Sequence, residues 1–292
     1  KTTEALLRSG APIEEMNVVR KHLSAILGGN LARVAIARGA RVEALLISDV
    51  TGDSPADIAS GPCAVDYSTY LDALNILQKY ELEAPAIPVS VLHHLKQGLA
   101  GEMPETLKDS DLFDGQVSNH VIATAYKSLE AAAEYVRHQG YEPIILGDTI
   151  TGEAQEVGAE QAALVREYQT KKTDKPIALI SGGECTVTIP AGIKGRGGRC
   201  SEYLLALFAA SQEFPKLAAL AADTDGIDGS EKNAGAWFDI NIREASLKSS
   251  LVPEKFLSAH DCYGFFTELG ALVETGPTLT NVNDFRIILL DK

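Results

Sequence analysis

The chain has 292 residues, 45% of them hydrophobic and 23% charged, a composition that excludes wholesale disorder and has room for two domains. Its 26 lysines and arginines face 40 aspartates and glutamates, and the resulting formal charge of −14 argues against nucleic acid as a partner. The longest apolar run, Leu204–Ala210, is too short to cross a bilayer, the start Lys1-Thr2-Thr3-Glu4 lacks a signal-peptide core, and Cys63, Cys185, Cys200 and Cys262 show no zinc or redox spacing. A reduced cytoplasmic protein without a membrane partner is expected.

In chain order, the pattern predicts a helix over Leu23–Ala37, a strand over Ala44–Ser48 and a helix over Thr69–Tyr80. After a soft Gly, Pro, Asp and Ser stretch at 98–115 come a helix over Ala123–His138, a strand over Pro143–Gly147 and a helix over Glu153–Gln169. Thr151 stands where a capping hydroxyl would precede that last helix. Three more strands, Ile177–Ser181, Leu217–Ala222 and Phe285–Leu290, and a helix over Ser201–Ser211 complete the series. The strands are compact apolar runs rather than in/out alternations, which suits strands covered on both faces. Alternating strands and helices predict an α/β protein of two domains with largely parallel sheets flanked by helices. The polar stretch Gln169–Pro176 places the boundary so that 1–172 form the first domain and 173–292 the second.

Chemistry concentrates at the ends of strands. Ser181-Gly182-Gly183-Glu184 leaves a strand, and Gly192 to Arg199 forms a second glycine cluster that opens a helix. Glycines let backbone N–H groups approach oxygen, a helix N-terminus favours negative charge, and Lys194, Arg196 and Arg199 supply countercharge. An anion cradle is one reading; a flexible hairpin with solvated basic residues is the other. Neither a Walker loop nor a dinucleotide fingerprint is present, since Gly197 is followed by Gly198-Arg199 and the third-glycine position holds Cys200. Asp223-Thr224-Asp225-Gly226-Ile227-Asp228-Gly229 follows an apolar strand and is either a Mg²⁺ site or an Asp/Gly turn. Ser48-Asp49-Val50-Thr51-Gly52-Asp53 poses the same choice. Thr275 to Asp284 gathers hydroxyls and amides ahead of the last strand, and the six histidines show no catalytic pattern.

Taken together, these stretches resemble the glycerate 2-kinase family, whose C-terminal domain is called MOFRL. The resemblance rests on Ser9-Gly10-Ala11, Glu15 to Ser24, Ser48 to Asp53, Gly152-Glu153-Ala154 and Ser181 to Glu184. It continues through Gly197-Gly198-Arg199 with Glu202, Thr224-Asp225-Gly226 with Asp228-Gly229, and Thr275 to Asp284. It implies ATP-dependent phosphorylation of D-glycerate to 2-phosphoglycerate with Mg²⁺, in a cleft between a Rossmann-like first domain and a MOFRL-type second one. Arg199 then steadies the transferring phosphoryl group, and Asp225 orients the hydroxyl or, with Asp228, holds Mg²⁺. Ser181, Gly182, Gly183, Glu184, Lys194, Gly197, Gly198, Asn281 and Asn283 are expected to bind substrate or nucleotide. Asn17, Arg20, Lys21 and Asp49 would contribute from the first domain.

Family members extend on the order of a hundred residues further at the N-terminus, so the first domain is expected to be incomplete, with an exposed sheet edge that a homodimer contact would cover. Leu27, Cys200 and Ser201 replace a lysine, an asparagine and a glutamine of the family pattern. Two alternatives stand beside the kinase: a hydroxypyruvate reductase using NAD(P)H, and a fragment that binds a nucleotide or acid anion without turnover.

Overall fold

A computed structural model describes residues 1–112, 115–171 and 174–291. The chain divides into two compact units, Lys1–Ile122 and Ala123–Lys292. The expected boundary at 172/173 itself lies outside the described residues. The division at 122/123 has a simple cause: the strand and helix before residue 171 pair and pack with those after residue 177 in one sheet and one core.

The first unit is mainly helical. It contains α1 (Thr2–Arg8), α2 (Ile13–Lys21), α3 (Asn30–Ile36), β1 (Val42–Ile47), α4 (Tyr70–Lys79), α5 (Val89–Leu99) and β2 (Val117–Ala123). Leu6, Val19, Ala73, Leu77 and Leu95 of the helices α1, α2, α4 and α5 form its core. Thr69 caps α4 in a reciprocal capping box with Asp72, as a hydroxyl followed three residues later by an acid allows. The helix predicted over Leu23–Ala37 starts only at Asn30, because Gly28 and Gly29 take φ of 58° and 76° and bond to the carbonyls of Ser60 and Gly61. β1 and β2 form a two-stranded sheet from which Leu45, Ile47 and Ile122 remain exposed.

The second unit contains α6 (Ala125–His138), β3 (Glu142–Glu153), α7 (Ala154–Thr170), β4 (Ile177–Thr186), α8 (Arg199–Ala210) and β5 (Ala218–Asp223). It continues with β6 (Gly235–Phe238), α9 (Ile240–Lys248), α10 (Pro253–Ser258), α11 (Cys262–Glu268), β7 (Leu272–Val273) and β8 (Asp284–Leu290). Its sheet has the order β3-β4-β8-β5-β6-β7. β3 and β4 are parallel, while β8 enters between β4 and β5 in the opposite direction, and β6 and β7 also pair antiparallel. The α/β class is thus realised as a mixed sheet with helices on both faces.

The apolar runs explain the layering. In β4, Ile177 and Leu179 face the core shared with α7 and α8, and Ala178 and Ile180 face α6. Every residue of α8 from Cys200 to Phe208 is buried, Ser201 and Glu202 included. Gly158 lets α7 meet it, since a Cβ there would lie 2.5 Å from the Tyr203 carbonyl oxygen. Thr151 does not cap α7: β3 runs on to Glu153, Thr151 pairs with Glu184, and the helix starts at Ala154 without a side-chain cap. All four cysteines are unpaired, and no helix among the described residues is long and apolar enough to cross a membrane.

Candidate active site

At one end of the second unit's sheet, β4 leads through the 187–198 loop into α8, β5 leads into the aspartate turn, and the 274–283 loop leads into β8. These segments enclose a cavity of about 570 Å³. The glycine–arginine turn and the acidic turn meet there. Ser230 N–H donates to the Gly197 carbonyl, and a Cβ on Gly229 would lie 2.4 Å from that same oxygen. Gly197 holds φ of 118°, a region that side chains avoid.

Arg199 is the centre of this end of the unit. Its Nε donates to Asp284 Oδ1 at 2.7 Å, its Nη1 to Glu184 Oε1 at 2.8 Å and its Nη2 to Asp223 Oδ2 at 2.8 Å. A planar guanidinium suits such a fixed fork of carboxylates. The three partners differ in exposure: the Asp284 side chain is 0% exposed, Asp223 7% and Glu184 55%. Burial pushes the Asp223 carboxyl up to about 6 despite the guanidinium beside it. Arg199 opposes its own desolvation with the charges of Asp284, Asp223 and Glu184, and its pKa rises. Asp284 Oδ2 accepts from Arg286, a buried guanidinium that also stacks 5.0 Å from the Tyr203 ring.

Of the expected residues, Glu184, Gly197, Gly198, Arg199, Asp225 and Asn281 line the cavity together. Asp225 Oδ1 accepts from Ile227 N–H, and Asn281 Oδ1 from Asn283 N–H, so both side chains are oriented by their own loops. Asn283 does not line the cavity; its carbonyl pins Thr224 at 2.7 Å.

The structure revises the expectations for Asp228, the α8 N-terminus, Ser181, Gly182, Gly183 and Lys194. Asp228 is fully buried, and its carboxylate accepts from the N–H groups of Cys200 and Ser201 at 2.9 and 2.8 Å. It caps α8, and both its oxygens are engaged there rather than turned to the cavity. The same contact fills the helix N-terminus that was expected to receive phosphate. Ser181 is buried beneath the site and accepts from Gln161. Gly182 and Gly183 serve the sheet, where a Cβ would lie 3.1 Å from the Asp284 carbonyl oxygen and 2.1 Å from that of Ile150. Lys194 is exposed and off the cavity wall; Arg196 lines it instead, its Nε on Glu231 at 3.2 Å and its guanidinium 4.7 Å from the Tyr263 ring.

In the first unit, Asn17 Oδ1 accepts from Arg20 and from Ser60, both at 3.1 Å, and Lys21 reaches Asp66 at 3.4 Å within the fold. Asp49 is exposed after β1.

Asp284 was missed as a site residue, although Asp284 and Arg286 stand at i and i+2 on one face of an apolar strand, where a charged pair is out of place unless it is used. Asp223, at the carboxyl end of β5, was read only as part of a turn that could hold Mg²⁺, and His260 and Glu202, which also line the cavity, were missed. No sequence spacing links the last two.

The cavity wall carries four carboxylates, Glu184, Glu202, Asp223 and Asp225, against the guanidiniums of Arg196 and Arg199. Among the described residues no group of three or more histidines, cysteines or carboxylates is arranged to hold a metal ion. A Mg²⁺ at this wall would therefore depend mainly on water and ligand oxygens, with Asp225 as a shared carboxylate, and would not be caged by protein.

The MOFRL family matches residues 177–284, and a domain of unknown function, DUF4147, matches residues 1–96. Two Agrobacterium vitis proteins named "Putative hydroxypyruvate reductase" are 44% identical over 98% of this chain, which covers 63% of one and 72% of the other. Glycerate 2-kinase of Pyrococcus horikoshii is 39% identical over 99% of this chain and 64% of its own length. The chain belongs to the glycerate 2-kinase family. The crystal structure of the family's Thermotoga maritima glycerate kinase superposes with a TM-score of 0.85 at 36% identity, covering 99% of this chain and 66% of that one. The chain thus spans just under two thirds of the length of most of these relatives, and the MOFRL match begins inside the second unit, at β4.

Proposed function

We propose that the chain contributes to ATP-dependent phosphorylation of D-glycerate to 2-phosphoglycerate, with the cavity of the second unit as the phosphoryl-handling site. The observation that supports this reading is the Arg199 fork. Asp223 and Asp284 hold Nη2 and Nε from below, which fixes the plane of the guanidinium without consuming its outward edge. Glu184 is the exposed partner, and an incoming phosphoryl oxygen competes with it for Nη1. Arg199 then steadies the charge spread over the transferring group, where such an arginine acts best when it is already positioned. In this reading Asp225, on the same cavity wall, orients the attacking hydroxyl or shares Mg²⁺. An unaccompanied polyphosphate would meet four carboxylates, so we infer that the nucleotide enters as its Mg²⁺ complex, the ion screening charge on the phosphates. A cytoplasmic setting is part of the same proposal, supported by four unpaired cysteines.

The name carried by the Agrobacterium relatives favours hydroxypyruvate reduction as the second reading. Against it, the α8 N-terminus, where a dinucleotide pyrophosphate would sit, is filled by Asp228. One set of assays separates the readings. The chain is given ATP, Mg²⁺ and D-glycerate, with each omitted in turn, and ADP and 2-phosphoglycerate are followed by ³¹P NMR. ADP that requires all three supports the kinase. NADH or NADPH oxidation on adding hydroxypyruvate, without such ADP, replaces it with the reductase. Calorimetric ATP binding with no product leaves the non-catalytic binder.

A further inference from the structure

The histidines form no motif in the sequence, yet one of them is built into the cavity wall. His260 lies in the turn between α10 and α11 with φ of 52°. Its carbonyl accepts from Arg196 N–H at 2.8 Å, and Tyr263 N–H donates to the Arg196 carbonyl at 3.1 Å. The turn is thereby stitched to the glycine-rich loop. Gly195 makes the contact possible, because a Cβ there would lie 2.7 Å from the His260 carbonyl oxygen and 2.8 Å from its Cβ. One glycine of the sequence cluster is therefore explained by the seating of this histidine.

The ring is held as firmly as the backbone. Its Nδ1 lies 2.7 Å from Glu202 Oε1, on a carboxylate only 5% exposed that also accepts from Gln155 Nε2 at 2.7 Å. A carboxylate on one ring nitrogen sets the tautomer of a neutral imidazole: Nδ1 carries the hydrogen and Nε2 keeps a lone pair. The side chain is 12% exposed and lines the cavity beside Arg196. Glu202 and His260 thus form an oriented pair with one polar atom left for a ligand.

We propose that His260 is a substrate-contacting residue whose Nε2 accepts a hydrogen bond from a hydroxyl of the acid substrate, with Arg196 next to it for the carboxylate. A guanidinium and an acceptor nitrogen on the wall of one cavity complement a hydroxy acid that carries an anionic group and a hydroxyl besides the one that reacts. The inference rests on the kinase reading for the identity of the acid.

The test uses His260→Asn and His260→Gln in the full chain. Asparagine tolerates the left-handed backbone and offers an amide N–H to Glu202, but it ends short of the Nε2 position. Glutamine reaches that position and gives up the Glu202 contact. His260→Asn is expected to raise KM for D-glycerate roughly fivefold to tenfold, the size of one lost hydrogen bond, and to leave KM for MgATP unchanged. His260→Gln recovers part of the loss. Imidazole ¹⁵N spectra supply a readout independent of turnover: D-glycerate should move the Nε2 resonance that His260→Asn removes. An unmoved resonance in a chain that forms ADP, or equal effects on both KM values, overturns the contact alone. A moved resonance without ADP supports the contact and rejects the kinase reading, and an unmoved resonance without ADP overturns both.

Discussion

Gly182-Gly183 and Gly195 to Gly198 look alike in the sequence, two glycine clusters beside polar residues at strand ends. In the structure they do different work. Gly183 has φ of 128° and no room for a Cβ, because β3 crosses it with the Ile150 carbonyl 2.1 Å from where that atom would be. The second cluster approaches the acidic turn, the Asp228 cap and His260, and it lines the cavity. Glycine reports that something comes close to the backbone; only the fold says whether that is the protein's own sheet or a ligand site.

Substitutions on the two sides of this contrast should separate function from stability. The largest effect on function is expected at the exit of the second cluster. Arg199→Ala should lower D-glycerate-dependent ADP formation by about 10³-fold or more, the scale on which a phosphoryl-steadying arginine acts. Its urea midpoint should also fall, because Asp223 and Asp284 lose a buried counter-charge, but turnover per folded molecule should fall far more, and an Arg199→Ala protein that retains full turnover would remove the fork from the mechanism. Gly183→Ala should show the opposite signature. An added Cβ against backbone at a positive φ costs on the order of 3–5 kcal/mol, read as a lowered urea midpoint, so soluble protein is itself expected to be scarce.

Asp228 sharpens the same contrast within the acidic turn. Replacing it with alanine strips two N–H groups at a buried helix start and should cost on the order of 2–3 kcal/mol in the same unfolding titration. Mg²⁺ dependence of ADP formation should be unchanged in the folded fraction. A selective loss of Mg²⁺ affinity without destabilisation would restore Asp228 as a metal ligand.

Asp223 offers a pH test. Burial raises its folded pKa to about 6 from the ordinary 3.8. The folded protein therefore holds this proton more tightly than the unfolded chain does. Its contribution to stability is greatest below about pH 4 and is lost as pH rises to about 6, by on the order of 2–3 kcal/mol. Asp223→Asn should flatten the unfolding free energy over that interval relative to the parent.

Much of this architecture was legible because apolar runs have few uses. The runs at Ile177, Leu217 and Phe285 became β4, β5 and β8, and the acidic and glycine–arginine turns met where strand ends gather ligands. Local pattern failed where long-range partners decide. The antiparallel entry of β8 leaves no mark in its apolar run. Nothing near Asp228 says that its carboxylate will reach the N-terminus of α8, and Glu202 and His260 are 58 residues apart. Gly28 and Gly29 were legible in principle, since a glycine pair inside a helical pattern signals a break.

The smallest expected effect belongs to Lys194, which the glycine cluster made attractive as a source of positive charge. It stands exposed on the 187–198 loop and off the cavity wall, so water already screens its charge from a bound phosphate. Lys194→Ala should leave kcat and KM for MgATP within about twofold of the parent, because an exposed charge outside direct contact contributes well under 1 kcal/mol. Arg196→Ala, two residues on, should weaken D-glycerate binding in the same assay. A large loss at Lys194 with none at Arg196 would mean that the loop closes on its ligand in a different arrangement, with the lysine inside the site.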